Sequence, residues 1–147
     1  MMYEKVLVPL DGSKLAECVF PYVRELAAGG VLRELILLNV VEIPSAWVAE
    51  GIDLIDIRHL RVNSAQEYLA DVQSRVSFAG VKAETEVMEG EPAHIIAEYA
   101  KTNGVNLIVI ATHGYTGMKR LMFGSVALRV LHDAHIPVLL IRPESSM

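Results

Sequence analysis

Five short apolar runs, separated by stretches with a different periodicity, constrain this chain more than any other feature. Val6-Leu7-Val8-Pro9-Leu10 is nearly unbroken and closes on Asp11-Gly12-Ser13. Leu35 to Val41, Asn106 to Ala111 and Pro137 to Ile141 repeat the profile, and Val81 to Met88 carries a weaker, alternating version. A run without polar alternation suits a strand covered on both faces, which is the situation inside a parallel sheet. The expected strands are Tyr3 to Pro9, Leu35 to Val41, Val81 to Met88 nearer an edge, Asn106 to Ala111, and Pro137 to Ile141.

The intervening segments have the three-and-four spacing of amphipathic helices. Leu15, Cys18, Val19, Tyr22, Val23 and Leu26 predict a first helix over about 14 to 28, with Ser13 as N-cap and Gly29-Gly30 as its stop. Ala65, Tyr68, Leu69, Val72 and Val76, opposed by Gln66, Glu67, Asp71 and Arg75, predict a long second helix. Pro92 suits the first position of a third helix reaching about Thr102, and Ser125 to Ala134 has the spacing of a fourth. Strict β-α alternation ending on a strand implies right-handed crossovers. The fold expected is α/β: a single-domain, Rossmann-like, open five-stranded parallel sheet of strand order 3-2-1-4-5, with helices on both faces.

Composition narrows the function. The chain has 147 residues, 52% of them hydrophobic, enough for one core and one domain spanning 1–147. Its 18 acidic residues outnumber 13 basic ones without any basic run, which argues against a nucleic-acid surface. The lone Cys18 excludes an internal disulfide or a multi-cysteine zinc site and suits a reducing compartment. The apolar stretch after the N-terminus ends quickly at Asp11, unlike a signal peptide, and no apolar run nears the roughly 18 residues that cross a bilayer. A cytoplasmic protein is expected, without membrane contact.

In an open parallel sheet, ligands bind beyond the carboxyl ends of the strands, where strand order reverses. With strand one central, Pro9 to Ser13 and Ala111 to Gly117 meet there, and the second segment leads to Gly124-Ser125 at a helix start. Uncovered N–H groups and the helix dipole favour an anion at that point, and glycine lets the main chain approach it. Neither Gly-x-x-x-x-Gly-Lys-Ser/Thr nor a Gly-x-Gly-x-x-Gly turn after strand one is present, which excludes P-loop NTPases and disfavours dinucleotide-binding domains.

Val-Pro-Leu-Asp-Gly-Ser after strand one, Leu-Leu-Asn-Val in strand two, Ala-Thr-His-Gly followed nine residues later by Gly-Ser, and the terminal Pro-Val-Leu-Leu-Ile-Arg resemble the universal stress protein family over essentially the whole chain. In its ATP-binding branch the pattern is Gly, two residues, Gly, nine residues, Gly, then Ser or Thr; here it falls on Ala111, Gly114, Gly124 and Ser125. The last three match, while Ala111 adds one methyl group. The resemblance implies that Pro9 and Val40 flank an adenine, with the Val40 main chain reading its edge, and that Asp11 lies near base and ribose. It implies that Ala111, His113, Gly114 and Gly117 pass along the ribose and phosphates, and that Gly114, Gly124, Ser125 and Val126 supply donors to them. ATP is the expected ligand, with ADP or AMP as relatives, and Mg2+ or Mn2+ bridges the phosphates without a protein carboxylate cage.

The plainer roles are an Asp11 turn cap, a Ser125 N-cap, a His113 loop anchor, and packing for Cys18, Tyr68 and Met88. Without a Walker lysine, arginine finger or positioned carboxylate base, hydrolysis is at most slow and no catalytic residue is assigned. Val138, Leu139, Leu140 and Ile141 form a long apolar edge strand that invites pairing with a second copy. The resemblance implies a homodimer joined antiparallel through these strands. The function expected is a nucleotide-binding regulatory module of the stress response; the alternative is a family-like dimer that binds no ATP or holds another small ligand.

Overall fold

The structure, a computed structural model, describes residues 3–43, 46–47, 50–51, 54–112 and 123–143. Its strands are β1 (Lys5–Leu10), β2 (Glu34–Val41), β3 (Lys82–Glu89), β4 (Leu107–Ala111) and β5 (Val138–Ile141); its longer helices are α1 (Phe20–Ala28), α2 (Leu54–Arg75), α3 (Pro92–Thr102) and α4 (Phe123–Asp133). All neighbours are parallel in the order β3-β2-β1-β4-β5, as the sequence predicts. Register places Leu10 beside Asn39 and Val41 beside Glu89, so β2 and β3 end level and run two residues past the end of β1.

Burial follows position in the sheet. Val6, Leu7, Val8 and Leu10 of central β1, and all of β4, are buried, because helices cover both faces of these strands. Each such Leu or Val contributes about 1.5–3 kcal/mol of transfer free energy. The two edges differ. β3 exposes Lys82, Glu84, Glu86 and Glu89, charges that discourage pairing with a further strand. β5 carries only Val, Leu and Ile, with Leu139 exposed.

Right-handed crossovers put α1 and α2 on one face and α3 and α4 on the other. Side chains tie each pair. The Tyr68 hydroxyl on α2 donates to Glu17 Oε2 at 2.7 Å, just before α1, and Arg129 Nη1 on α4 donates to Glu91 Oε1 at 2.8 Å, at the head of α3.

Two helix boundaries depart from the sequence expectation. The first helix does not run unbroken from residue 14: a 3-10 turn covers Ala16–Val19 and α1 begins at Phe20. Pro21 is the reason, since it has no N–H to bond the Glu17 carbonyl; Phe20 N–H takes that carbonyl instead, with 3-10 spacing. Ser13 still caps, its Oγ accepting from Ala16 N–H at 3.2 Å. α2 is the long helix expected and starts at Leu54; its first half is mostly exposed and shows no apolar stripe. α4 starts at Phe123, which moves Gly124 and Ser125 inside its first turn and takes Ser125 out of the N-cap position.

Candidate functional site

A cavity of about 1140 Å³ opens beyond the carboxyl ends of β1, β2 and β3. Its floor is the strand ends, Pro9 to Gly12 and Leu38 to Ile43; α2 forms one wall and the start of α3 the other. Parallel strands ending together leave such a space because the chain must turn away to reach the next helix. Two glycines shape the turns. Gly12 has φ +90°, a conformation L side chains rarely adopt, and follows Asp11, whose Oδ1 accepts from Ser13 N–H at 2.9 Å and Ser13 Oγ at 2.6 Å. Gly90 has φ +150° and donates its N–H to the Val41 carbonyl at 3.0 Å, fastening the exit of β3 to the end of β2.

Pro9, Asp11 and Val40 line this cavity together. The Asp11 turn is present, so its packing role is realised; only Oδ1 is engaged among the described residues. Ala111 closes β4 with its methyl group inside the hydrophobic core, 1% exposed. Val126 is also buried, so its side chain belongs to packing; Gly124, Ser125 and Val126 lie in the first turn of α4. His113, Gly114 and Gly117 lie outside the described residues.

Several wall residues escaped the sequence reading. Tyr68 is a wall residue as well as a packing one, and burial followed by its hydrogen bond to Glu17 pushes its phenol well above the usual range. Arg61 lines the mouth: its Nη1 donates to the Glu42 carbonyl at 3.0 Å and its guanidinium carbon sits 4.6 Å from the centre of the Trp47 ring, a cation–π contact. Glu89 and Glu91 stand at the rim, the first held by Arg58 Nε at 2.6 and 3.0 Å, the second capping α3 by accepting from His94 N–H at 2.7 Å. Asn39, quoted in the strand-two motif without a role, sits on the floor at 9% exposure. No local sequence signal marks these side chains, because they come from four segments that meet only after the sheet forms.

Among the described residues no group of three His, Cys, Asp or Glu is placed to hold a metal ion. No described helix is long and apolar enough to cross a membrane.

A doubly wound parallel sheet with a cavity past its strand ends makes this an α/β protein of the open-sheet class. The chain belongs to the universal stress protein family, whose model matches residues 2–142. It is 36% identical to Universal stress protein MJ0531 of Methanocaldococcus jannaschii, over 96% of this chain and 83% of that protein. The solved structure of MJ0577, from the same organism, superposes with a TM-score of 0.81 at 27% identity, covering 99% of this chain and 100% of the other. Two structures at 19% identity share the fold. One is a universal stress protein in complex with cAMP (TM-score 0.64; 98% and 100% covered), and the other is a family protein of Arabidopsis thaliana with AMP bound (TM-score 0.62; 97% and 93% covered).

Proposed function

We propose that this chain is an adenine-nucleotide-binding member of the universal stress protein family, acting as a homodimeric regulatory module in the cytoplasm. The observation that carries the reading is the meeting of Pro9, Asp11 and Val40 on one cavity at the carboxyl end of a parallel sheet, in a family where solved members carry AMP and cAMP. Base and ribose occupy the described cavity, with Pro9 and Val40 against the ring and the Val40 main chain at its edge. Asp11 approaches the ribose through the oxygen its turn leaves unused.

Charge decides where the phosphates go. Asp11 and Glu42 line the described cavity, Glu89 and Glu91 stand at its rim paired to Arg58 and Arg129, and Arg61 is the cation in the lining, so the cavity offers a polyphosphate little positive charge. The phosphates point instead to the first turn of α4, where the helix dipole favours an anion and where Gly124, Ser125 and Val126 are the expected contacts. His113, Gly114 and Gly117 complete that half, and Ala111 contributes main chain, since its methyl group is spent on the core. ATP is the expected occupant, with Mg2+ or Mn2+ held through its phosphates. Hydrolysis is expected to be at most slow, because the sequence shows no Walker lysine, arginine finger or positioned carboxylate base.

The dimer rests on the contrast between the edges: β3 is guarded by charge, whereas β5 presents Val138 to Ile141 without one. Antiparallel pairing of two β5 strands satisfies the unpaired ladder groups of both copies.

The same acidic lining favours a second reading, in which the cavity holds a small ligand without phosphates. Chromatography of the supernatant from denatured protein, together with a thermal shift at 1 mM ATP, separates them. A micromolar site adds about 4 kcal/mol at a thousandfold ligand excess, roughly a 10 °C rise in Tm. Released adenine nucleotide or such a rise supports ATP; neither nucleotide nor shift overturns it.

A further inference from the structure

We propose that the Asn39 side-chain carboxamide is the specificity group of this cavity, pairing with the exocyclic amino group and adjacent ring nitrogen of an adenine. The assignment rests on the nucleotide reading and adds a residue to it.

Asn39 is the buried polar residue among the described residues, 9% exposed, and it lies on the cavity floor between Leu10 of β1 and Val87 of β3. Its main chain is spent on the sheet ladder. Its side chain makes no hydrogen bond to any described residue, although a carboxamide has two N–H donors and an acceptor oxygen. Buried polar groups without partners are rare in folded proteins, because each gives up hydration and gains nothing. Its parallel neighbours Leu10 and Val87 are apolar, so an aliphatic side chain would suit the same position for folding. An amide that costs stability and borders an open cavity has a natural partner in whatever enters the cavity.

Carboxamide geometry narrows that partner. Donor and acceptor lie side by side in one plane, which matches a ligand presenting one acceptor and one donor side by side. Adenine offers this pair as a ring nitrogen beside the exocyclic amino group, with Pro9 and Val40 lining the same cavity for the apolar ring. A phosphate, with acceptors only, uses half the amide and meets the acidic lining besides.

The test compares wild type with Asn39→Leu, using ATP and purine riboside triphosphate, which lacks the amino group, each titrated by calorimetry. Wild type is expected to bind ATP about 10- to 100-fold more tightly than the deaminated analogue, the range for a bidentate base contact. In Asn39→Leu that preference falls to within about threefold. The Tm of the variant without nucleotide stays level or rises, since an unpartnered amide has been replaced by an apolar group of similar size. A structural role for Asn39 predicts the reverse, a lower Tm with the preference intact. Wild-type binding with an unchanged preference in Asn39→Leu overturns the Asn39 assignment alone. Wild type that binds neither nucleotide overturns the proposed function and this assignment with it.

Discussion

Replacing Gly90 by alanine tests whether the rim of the cavity is as tightly built as its geometry indicates. A Cβ at this position meets Ile95 Cγ1 at 2.8 Å and Cδ1 at 2.9 Å, closer than carbon atoms tolerate, while the backbone holds φ +150°. Two costs add. Holding a non-glycine residue in that region costs about 1–3 kcal/mol, and forcing Ile95 aside adds about 1–2 kcal/mol, at the low end of overpacking because its side chain is half-buried. The expected loss is therefore about 2–5 kcal/mol, which with a urea slope near 2 kcal/mol/M lowers the unfolding midpoint by roughly 1–2.5 M. Protein concentration is held fixed so that any dimer equilibrium contributes equally. Ile95→Ala removes the collision and leaves the backbone strain. In the double variant Gly90→Ala/Ile95→Ala the combined loss should then fall short of the sum of the single losses by about 1 kcal/mol or more. A Gly90→Ala midpoint within 0.3 M of wild type, or strict additivity, refutes the reasoning.

Other perturbations follow from the same geometry. Gly124→Val should weaken ATP binding at least about 100-fold in calorimetry by covering first-turn amides of α4, each worth about 1.5–3 kcal/mol to an anion, with unchanged mass by light scattering; retained affinity contradicts the placement of the phosphates. Leu139→Glu should shift the protein toward monomer, on the order of 100-fold in dissociation constant, and is a cleaner probe than Leu140→Glu because Val138 and Leu140 also pack on the chain's own core; an unchanged mass at low micromolar concentration removes the β5 interface. Tyr68 keeps its proton in the folded state well past the ordinary phenol value of about 10, so the stability it contributes is complete below that pH and is lost as pH rises beyond it. Urea unfolding from pH 8 to 11 should show wild-type stability falling more steeply than that of Tyr68→Phe, and parallel curves would contradict the burial of the hydroxyl.

Much of the fold was legible because burial on both faces leaves a plain mark. β1 and β4 are unbroken apolar runs, and their centrality, with right-handed crossovers, suffices for the strand order. The break before α1 was also legible, in Pro21, but apolar spacing from Leu15 onward masks it. The first half of α2 was not: Leu54 to Ser64 is largely exposed, so no stripe marks it, yet it delivers Arg61 and Ser64 to the cavity. The turn after strand one pointed to Pro9 and Asp11, and the family resemblance added Val40. The walls could not be read in this way, since Tyr68, Glu89 and Asn39 come from separate elements and acquire a common purpose only through packing.

The central claim is that one adenine nucleotide spans the ends of β1 and β2 and the first turn of α4. Titrating the isotope-labelled protein with ATP and following its assigned backbone amide signals tests this directly. The largest shifts are expected at Leu10 to Gly12, Val40 and Val41, and Gly124 to Val126, saturating together with a single affinity. Signals unmoved at these amides, or changes confined to the opposite end of the sheet, would contradict it.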